Sequence, residues 1–494
     1  MAAGATSRPQ LLLQSRYASR GLGVVMPAPR ALYFIYFPLL LLYTALAAWV
    51  LPTDRMLIIA SLTGGLIGAY TLWDLLVNTA PFRVTNFLGM MLLVGYGLGA
   101  VNSWFTIDRA GITLGEFFNR DPAALTRAMA VILTSSAVLY CVGEVFEKPV
   151  LGEDFRIVID GRSYFLIVAG TAWIILAYIT GRLTFGGVAS DVSQRYDPIS
   201  ALLFWIITPL FAYTMCVAFN SGSRIQKVVT LVCMLIQFAA LIPLGRRFLT
   251  FSVLTGIFAL RMGRRKVRLN FAGKVIVVAI FIGIFSFTSI LFYYLRSVNG
   301  SNAQVSFVER VQLAMELKES RNSSEVLSVL QYNVERRTFI LGYLSDLLDA
   351  TGKQHPAMGH DFMLQIKRVI PSTIWSGKDE VIGVLEESLA NYYLGFSYID
   401  EANSILTAGA LDFGVIGALL YPLLLCLVLR SYLEIVGNAV PRLVAPILVL
   451  AIVGLLFEVE NELSIYFLNM RDGLAFAVLL SVYASIPRFR VRRA

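Results

Sequence analysis

The chain has 494 residues, of which 57% are hydrophobic and 15% charged, with a mean hydropathy of +0.71 and a formal charge of +9. Soluble globular chains are roughly 45–50% apolar and about 25% charged, so this balance excludes an ordinary soluble fold and points to the bilayer. The basic residues flank apolar runs instead of forming one tract, which argues against a nucleic-acid footprint.

Residues 1–30 read as a basic cytoplasmic tail carrying Arg8, Arg16, Arg20 and Arg30. The apolar run that follows exceeds a signal-peptide core, so a retained first span is expected. Further apolar runs complete the set: 31–51, 56–77, 86–105, 127–146, 164–181, 198–219, 228–244, 248–260, 275–294, 405–429, 443–458 and 473–487. Inside lipid every backbone amide needs an internal partner, so runs of this length predict helices. The expected fold is an all-α polytopic membrane protein of about twelve transmembrane helices with one large, mostly helical extracytoplasmic loop. Its parts are the tail 1–30, helices one to nine over 31–294, the loop 295–403, and helices ten to twelve with a cytoplasmic C-terminus over 404–494. The eighth run is short and opens on Gly245-Arg246-Arg247, so it is expected to be tilted, extended through its flanks or partly re-entrant. Cys141, Cys216, Cys233 and Cys426 all fall inside apolar runs, which supports neither a disulfide framework nor a zinc site.

Orientation follows from the placement of the 41 Lys and Arg residues. With the N-terminus inside, 22 lie in inner segments, including Arg261, Arg264, Arg265, Lys266 and Arg268, and 9 lie in short outer connections. The positive-inside rule then predicts both termini in the cytoplasm and the loop on the outer side of the membrane. The loop holds the remaining 10 basic residues, 14 acidic ones and both histidines of the chain.

Charged residues in the apolar runs (Asp74, Glu144, Arg182, Asp412, Glu458) are placed at run ends, whereas ion-coupled transporters carry charges or broken helices at membrane depth. Polar chemistry is therefore expected at the outer surface. Arg246 and Arg247 stand at an outer turn, and the loop adds Arg310, Arg336, Arg337 and Arg368. A guanidinium fork fits phosphate oxygens, although such arginines also snorkel to headgroups or pair with carboxylates. Over 325–350, Leu327, Leu330, Val334, Leu341, Leu344 and Leu348 predict an amphipathic helix with Arg337 on its apolar stripe. His355 and His360 lie in KQHPAMGHDF, whose Pro356 and Gly359 predict a loop and argue against a metal pair. A neutral His360 is a candidate general base beside Asp361. In IKRVIPSTIWSGKDE, Pro371 stops any helix, Trp375 offers a sugar-stacking face or an interfacial anchor, and Lys378 stands close by. Asp400 and Glu401 precede a span whose Gly409, Gly414 and Gly417 suit close helix packing, and either carboxylate is a candidate base.

Together Gly245-Arg246-Arg247, IPSTIWSGK and DEANSILTAGALDFGVIGALL resemble the Wzy-type O-antigen and exopolysaccharide repeat-unit polymerases, and more distantly the O-antigen ligases. The resemblance covers about residues 240–430, with hydropathy alone supporting the rest. It implies a metal-independent membrane glycosyltransferase, without cofactor, acting on undecaprenyl-pyrophosphate-linked oligosaccharide. It also implies partners from the same pathway, a chain-length regulator and a flippase, and no nucleic acid. By carry-over Arg246 or Arg247 matches the families' outer-turn arginine, although two arginines replace the usual serine–arginine–glycine run. Arg310, Arg336, Arg337 or Arg368 matches the loop arginines that meet phosphate, with Lys378 and Trp375 nearby. Asp400 or Glu401 occupies the region where ligases carry a histidine. A ligase, a lipid-linked oligosaccharide flippase or exporter, and a non-enzymatic assembly or scaffold protein are the alternatives.

Overall fold

The computed structural model describes residues 31–78, 81–101, 104, most of 111–150, 155–263 apart from 181, 185–186 and 189–197, a few single positions up to 316, and 340–485 apart from 372–373, 376, 379–383 and 398–400. The apolar runs become helices: α1 (Leu32–Val50), α2 (Asp54–Leu76), α3 (Val84–Val101), α4 (Pro122–Phe146), α5 (Gly161–Ile179), α6 (Pro198–Asn220), α7 (Arg224–Leu244) and α8 (Arg246–Ala259). Three short helices follow, α9 (Leu341–Thr351), α10 (His360–Val369) and α11 (Glu386–Leu394), and then α12 (Ile405–Ala439), α13 (Ala445–Leu456) and α14 (Leu463–Ser485). Between α5 and α6 a two-residue strand pair joins Leu183–Thr184 to Gly187–Val188. The expected run at 275–294 lies outside the described residues apart from Gly283; every other expected run falls on a helix. Among the described residues eight helices are long and apolar enough to cross a membrane, and the apolar stretches Trp205–Asn220, Phe248–Met262 and α13 are shorter. The protein is a polytopic helical membrane protein.

Side-chain contacts sort the helix ends into two faces. At one face Tyr33 donates to Asp74 (2.6 Å) and Arg261 donates to the Leu75 carbonyl (2.6 Å). There Arg83 pairs with Glu144 (2.6 Å), and Glu147 accepts from the Val84 and Thr85 amides (2.7 and 3.0 Å), capping α3 from another helix. A carboxylate at that position satisfies orphan amides and meets the positive end of the helix dipole. The opposite face is covered by the short helices. Tyr96 near the far end of α3 meets Ser404 (2.7 Å), and Arg120, just before α4, pairs with Asp346 of α9 (2.8 Å). We call this the capped face.

The predicted stripe of the 325–350 helix is visible where the structure describes it: Leu341 and Leu344 are buried and Leu348 packs on the core, against α12 and α4. Arg337 lies outside the described residues. α12 departs from the expected continuous span. It runs helically to Asp412, breaks at Phe413 and Gly414 (φ +60°, ψ −141°), and resumes. That backbone conformation is open essentially only to glycine. The two limbs pack backbone to backbone: a Cβ at Gly409 would collide with the Gly417 carbonyl, and one at Gly417 with the Gly409 carbonyl. The small residues thus serve packing, as expected, while Gly414 serves the break.

Candidate functional site

The break in α12 organises the capped face. Met358 (φ +53°) and Gly359 (φ +89°) turn the chain into α10, whose first amides have no partner within the helix. Asp412 supplies it from the break: its carboxylate accepts from the Asp361 and Phe362 amides (3.0 and 2.9 Å) and from the Tyr421 hydroxyl (2.6 Å). The amides of Ala357 and Met358 donate to the Leu411 and Asp412 carbonyls (2.9 and 3.0 Å). Asp412 is fully buried, so the reading of it as a span-end charge is corrected: it is the internal cap at a helix break.

Behind α10 lies a cluster of acids. Asp361 and Glu386 are both 0% exposed. Among the described residues the Asp361 carboxylate meets the Gln365 amide, at 3.3–3.4 Å. Burial first, then the neighbouring Asp412 and Glu462, push its carboxyl up to about 8. Neither Glu386 oxygen meets a donor in hydrogen-bonding geometry; the nearby Thr407 hydroxyl gives its proton to the Ser404 carbonyl (2.8 Å). Burial, with Asp361, Glu462 and Glu387 around it, raises Glu386 well above the usual carboxylate range. An ionised carboxylate is strongly disfavoured in so dry a site, so burial favours the neutral form of Glu386. Glu387 accepts from the Glu401 amide (3.1 Å) and from Asn403 (3.3 Å). Glu462, just before α14, binds the Arg368 guanidinium at 2.6 Å. Arg368 also donates to the Val384 carbonyl, and its Nε has no partner among the described residues. Gln365 closes the set by accepting from the Ser464 amide of α14 (3.1 Å). Among the described residues no three His, Cys, Asp or Glu side chains converge so as to hold a metal ion.

Of the residues singled out from the sequence, Arg368 enters this cluster, but its charge is already met by Glu462. Lys378 is nearly buried, and Trp375 sits half-buried in a turn closed by its amide on the Pro371 carbonyl (3.1 Å). His360 is exposed and opens α10, where a loop was expected; its Nδ1 meets the Tyr393 hydroxyl, while Asp361 points into the cluster. Glu401 reaches the cluster through its backbone. Arg246 and Arg247 open α8 after Gly245 (φ +125°), with side chains outside the described residues. Arg310, Arg336, Arg337 and Asp400 lie outside the described residues altogether. Sequence reasoning missed Asp361, Gln365, Glu386, Glu387 and Glu462. The one signal was the spacing of Asp361, Gln365 and Arg368, which draws a polar stripe on a short helix.

Fold and site define a polytopic helical membrane protein with a buried, carboxyl-rich seat beneath short helices at one face. The chain matches no protein-family model, no curated protein and no solved structure.

Proposed function

We propose that the protein is a membrane glycosyltransferase that polymerises undecaprenyl-pyrophosphate-linked repeat units, with the capped face outward and about twelve spans. The observation that carries this reading is the buried cluster in which Asp361, crowded by Asp412 and Glu462, shares a short helix with Arg368 and with His360, whose Nδ1 meets the Tyr393 hydroxyl. A proton acceptor matched to neutral pH and a guanidinium near it are what attack on a sugar diphosphate requires. A hydroxyl of the incoming unit attacks the anomeric carbon of the growing chain. The anomeric C–O bond breaks, the lipid pyrophosphate leaves with the electron pair, and the hydroxyl proton passes to a base. Asp361 joins His360, Asp400 and Glu401 as candidates for that base. Arg246 or Arg247 and the loop arginines Arg310, Arg336, Arg337 and Arg368 neutralise the leaving diphosphate.

A second reading has its own observation. The broken α12, with Asp412 at the break and protonatable Asp361 and Glu386 beside it, is the arrangement that coupled transporters use, and it favours a proton-linked flippase or exporter. Purified protein in liposomes with one lipid-linked repeat unit separates the readings. A ladder of longer glycans is expected. One transfer to an acceptor indicates a ligase, and unchanged glycan moved between leaflets indicates a flippase; either outcome overturns the polymerase. Within the polymerase reading, Arg337→Ala abolishes the ladder while leaving membrane insertion intact, and normal chain lengths in that variant remove Arg337 from the site.

A further inference from the structure

α10 is inverted relative to an ordinary surface helix. Its buried positions Asp361 and Gln365 are polar, whereas His360, Met363 and Lys367, spaced three and four apart, share the exposed face. The helix lies across the ends of two spans. Its N-terminus is tied to Asp412 of α12, and its last turn to α14, where Arg471 donates to the Val369 carbonyl (2.6 Å). Met358, just before it, is 70% exposed and Met363 is 51% exposed. Met358 is also left-handed, a conformation that costs on the order of 1–3 kcal/mol for a residue with a side chain. Presenting a thioether to water offsets none of that.

The apolar surface continues onto the neighbouring span. Phe413, exposed at the break, lies against Gly359, where an added Cβ would meet its Cζ at 3.5 Å. From Phe413 the exposed side chains Ile416, Leu420, Leu424 and Leu427 run down α12 at intervals of three and four residues. On a membrane-spanning helix such a stripe faces acyl chains. We propose that the 358–367 segment is an interfacial element seated in the leaflet at the capped face. Met358 and Met363 extend the acyl-facing stripe of α12, and His360 and Lys367 stand at the headgroup phosphates, where a lysine ammonium snorkels and pairs with anionic oxygen. The partner is the bilayer itself. The consequence is that the break in α12 meets the leaflet through Phe413, with α10 between the lipid and the buried acids. This inference rests on membrane embedding and not on the polymerase reading.

The test attaches bimane to Met358→Cys and to Met363→Cys in the full chain in nanodiscs, with the signal from the four native cysteines subtracted. Quenching by a nitroxide on the upper acyl chain is compared with quenching by iodide in the water. Lipid quenching is expected to exceed iodide quenching by about twofold or more at both sites, as for side chains about 5–10 Å into the headgroup–acyl boundary. Iodide quenching equal to or above lipid quenching overturns the proposal. Should either variant fail to assemble, bimane at Lys367→Cys is read against a headgroup-attached nitroxide, where absence of quenching overturns it equally. No arm reads glycan chemistry, so failure of the polymerase reading leaves the result untouched.

Discussion

Asp361 shows how one residue ties stability to pH. Its carboxyl sits near 3.8 in an ordinary setting and near 8 in the fold, because burial and the adjacent Asp412 and Glu462 oppose its charge. Between those values the native chain keeps a proton that the unfolded chain has released. Unfolding therefore becomes easier as pH rises through that window, by about 1.4 kcal/mol for each pH unit crossed, and is indifferent to this group above it. The contribution is full below about pH 4 and lost by about pH 8. Asp361→Asn keeps the shape and the Gln365 contact but carries no titrating proton. The melting temperature of the wild-type protein is expected to fall between about pH 5 and pH 8, and the slope to flatten in the variant. Equal slopes in the two proteins would mean that Asp361 is ionised throughout.

At the scale of the element, the capped face hangs on the interruption of α12. The break at Phe413–Gly414 turns Asp412 toward the amides of α10, and the Gly409–Gly417 contact holds the two limbs together. Gly414→Ala places a Cβ in a glycine-only region and is expected to destabilise by about 1–3 kcal/mol. Gly409→Ala drives a methyl into backbone, which cannot rotate away, and is expected to be at least as damaging, about 1–3 kcal/mol or more. Protease sensitivity of α10 in the intact membrane protein reads both. Each variant should expose the segment while leaving α1 to α4 protected, and unchanged protection would mean that α10 docks without the break. None of this was legible beforehand. The run 405–429 reads as one apolar span despite Asp412 within it, and the left-handed φ of Gly414 is a property of the folded backbone that a glycine in sequence permits but does not announce. The stripe of Leu341, Leu344 and Leu348, by contrast, was legible because local periodicity determines which side is buried.

For the whole molecule, hydropathy located the helices because the requirement that lipid imposes on backbone amides is met locally, run by run. The site was hidden because its acids come from four separate stretches, at 361, 386–387, 412 and 462, which only the assembled bundle brings together. The same assembly makes orientation testable as a property of the entire chain. Contacts gather Tyr96, Asp346, Asp412 and Glu462 at one face, and Asp74, Arg83, Glu144 and Arg261 at the other. A single topology therefore fixes both. In the proposed orientation the second face, whose segments hold the excess of Lys and Arg, is turned toward the cytoplasm. Lys353→Cys, exposed beyond α9, and Gly222→Cys, exposed between α6 and α7, report on the two faces. A membrane-impermeant maleimide added to intact cells with a permeable outer envelope is expected to label Lys353→Cys at once and Gly222→Cys only after the inner membrane is opened. The reverse pattern would turn the carboxyl seat toward the cytosol, against the outer-face reaction proposed, and the polymerase reading would fall with it.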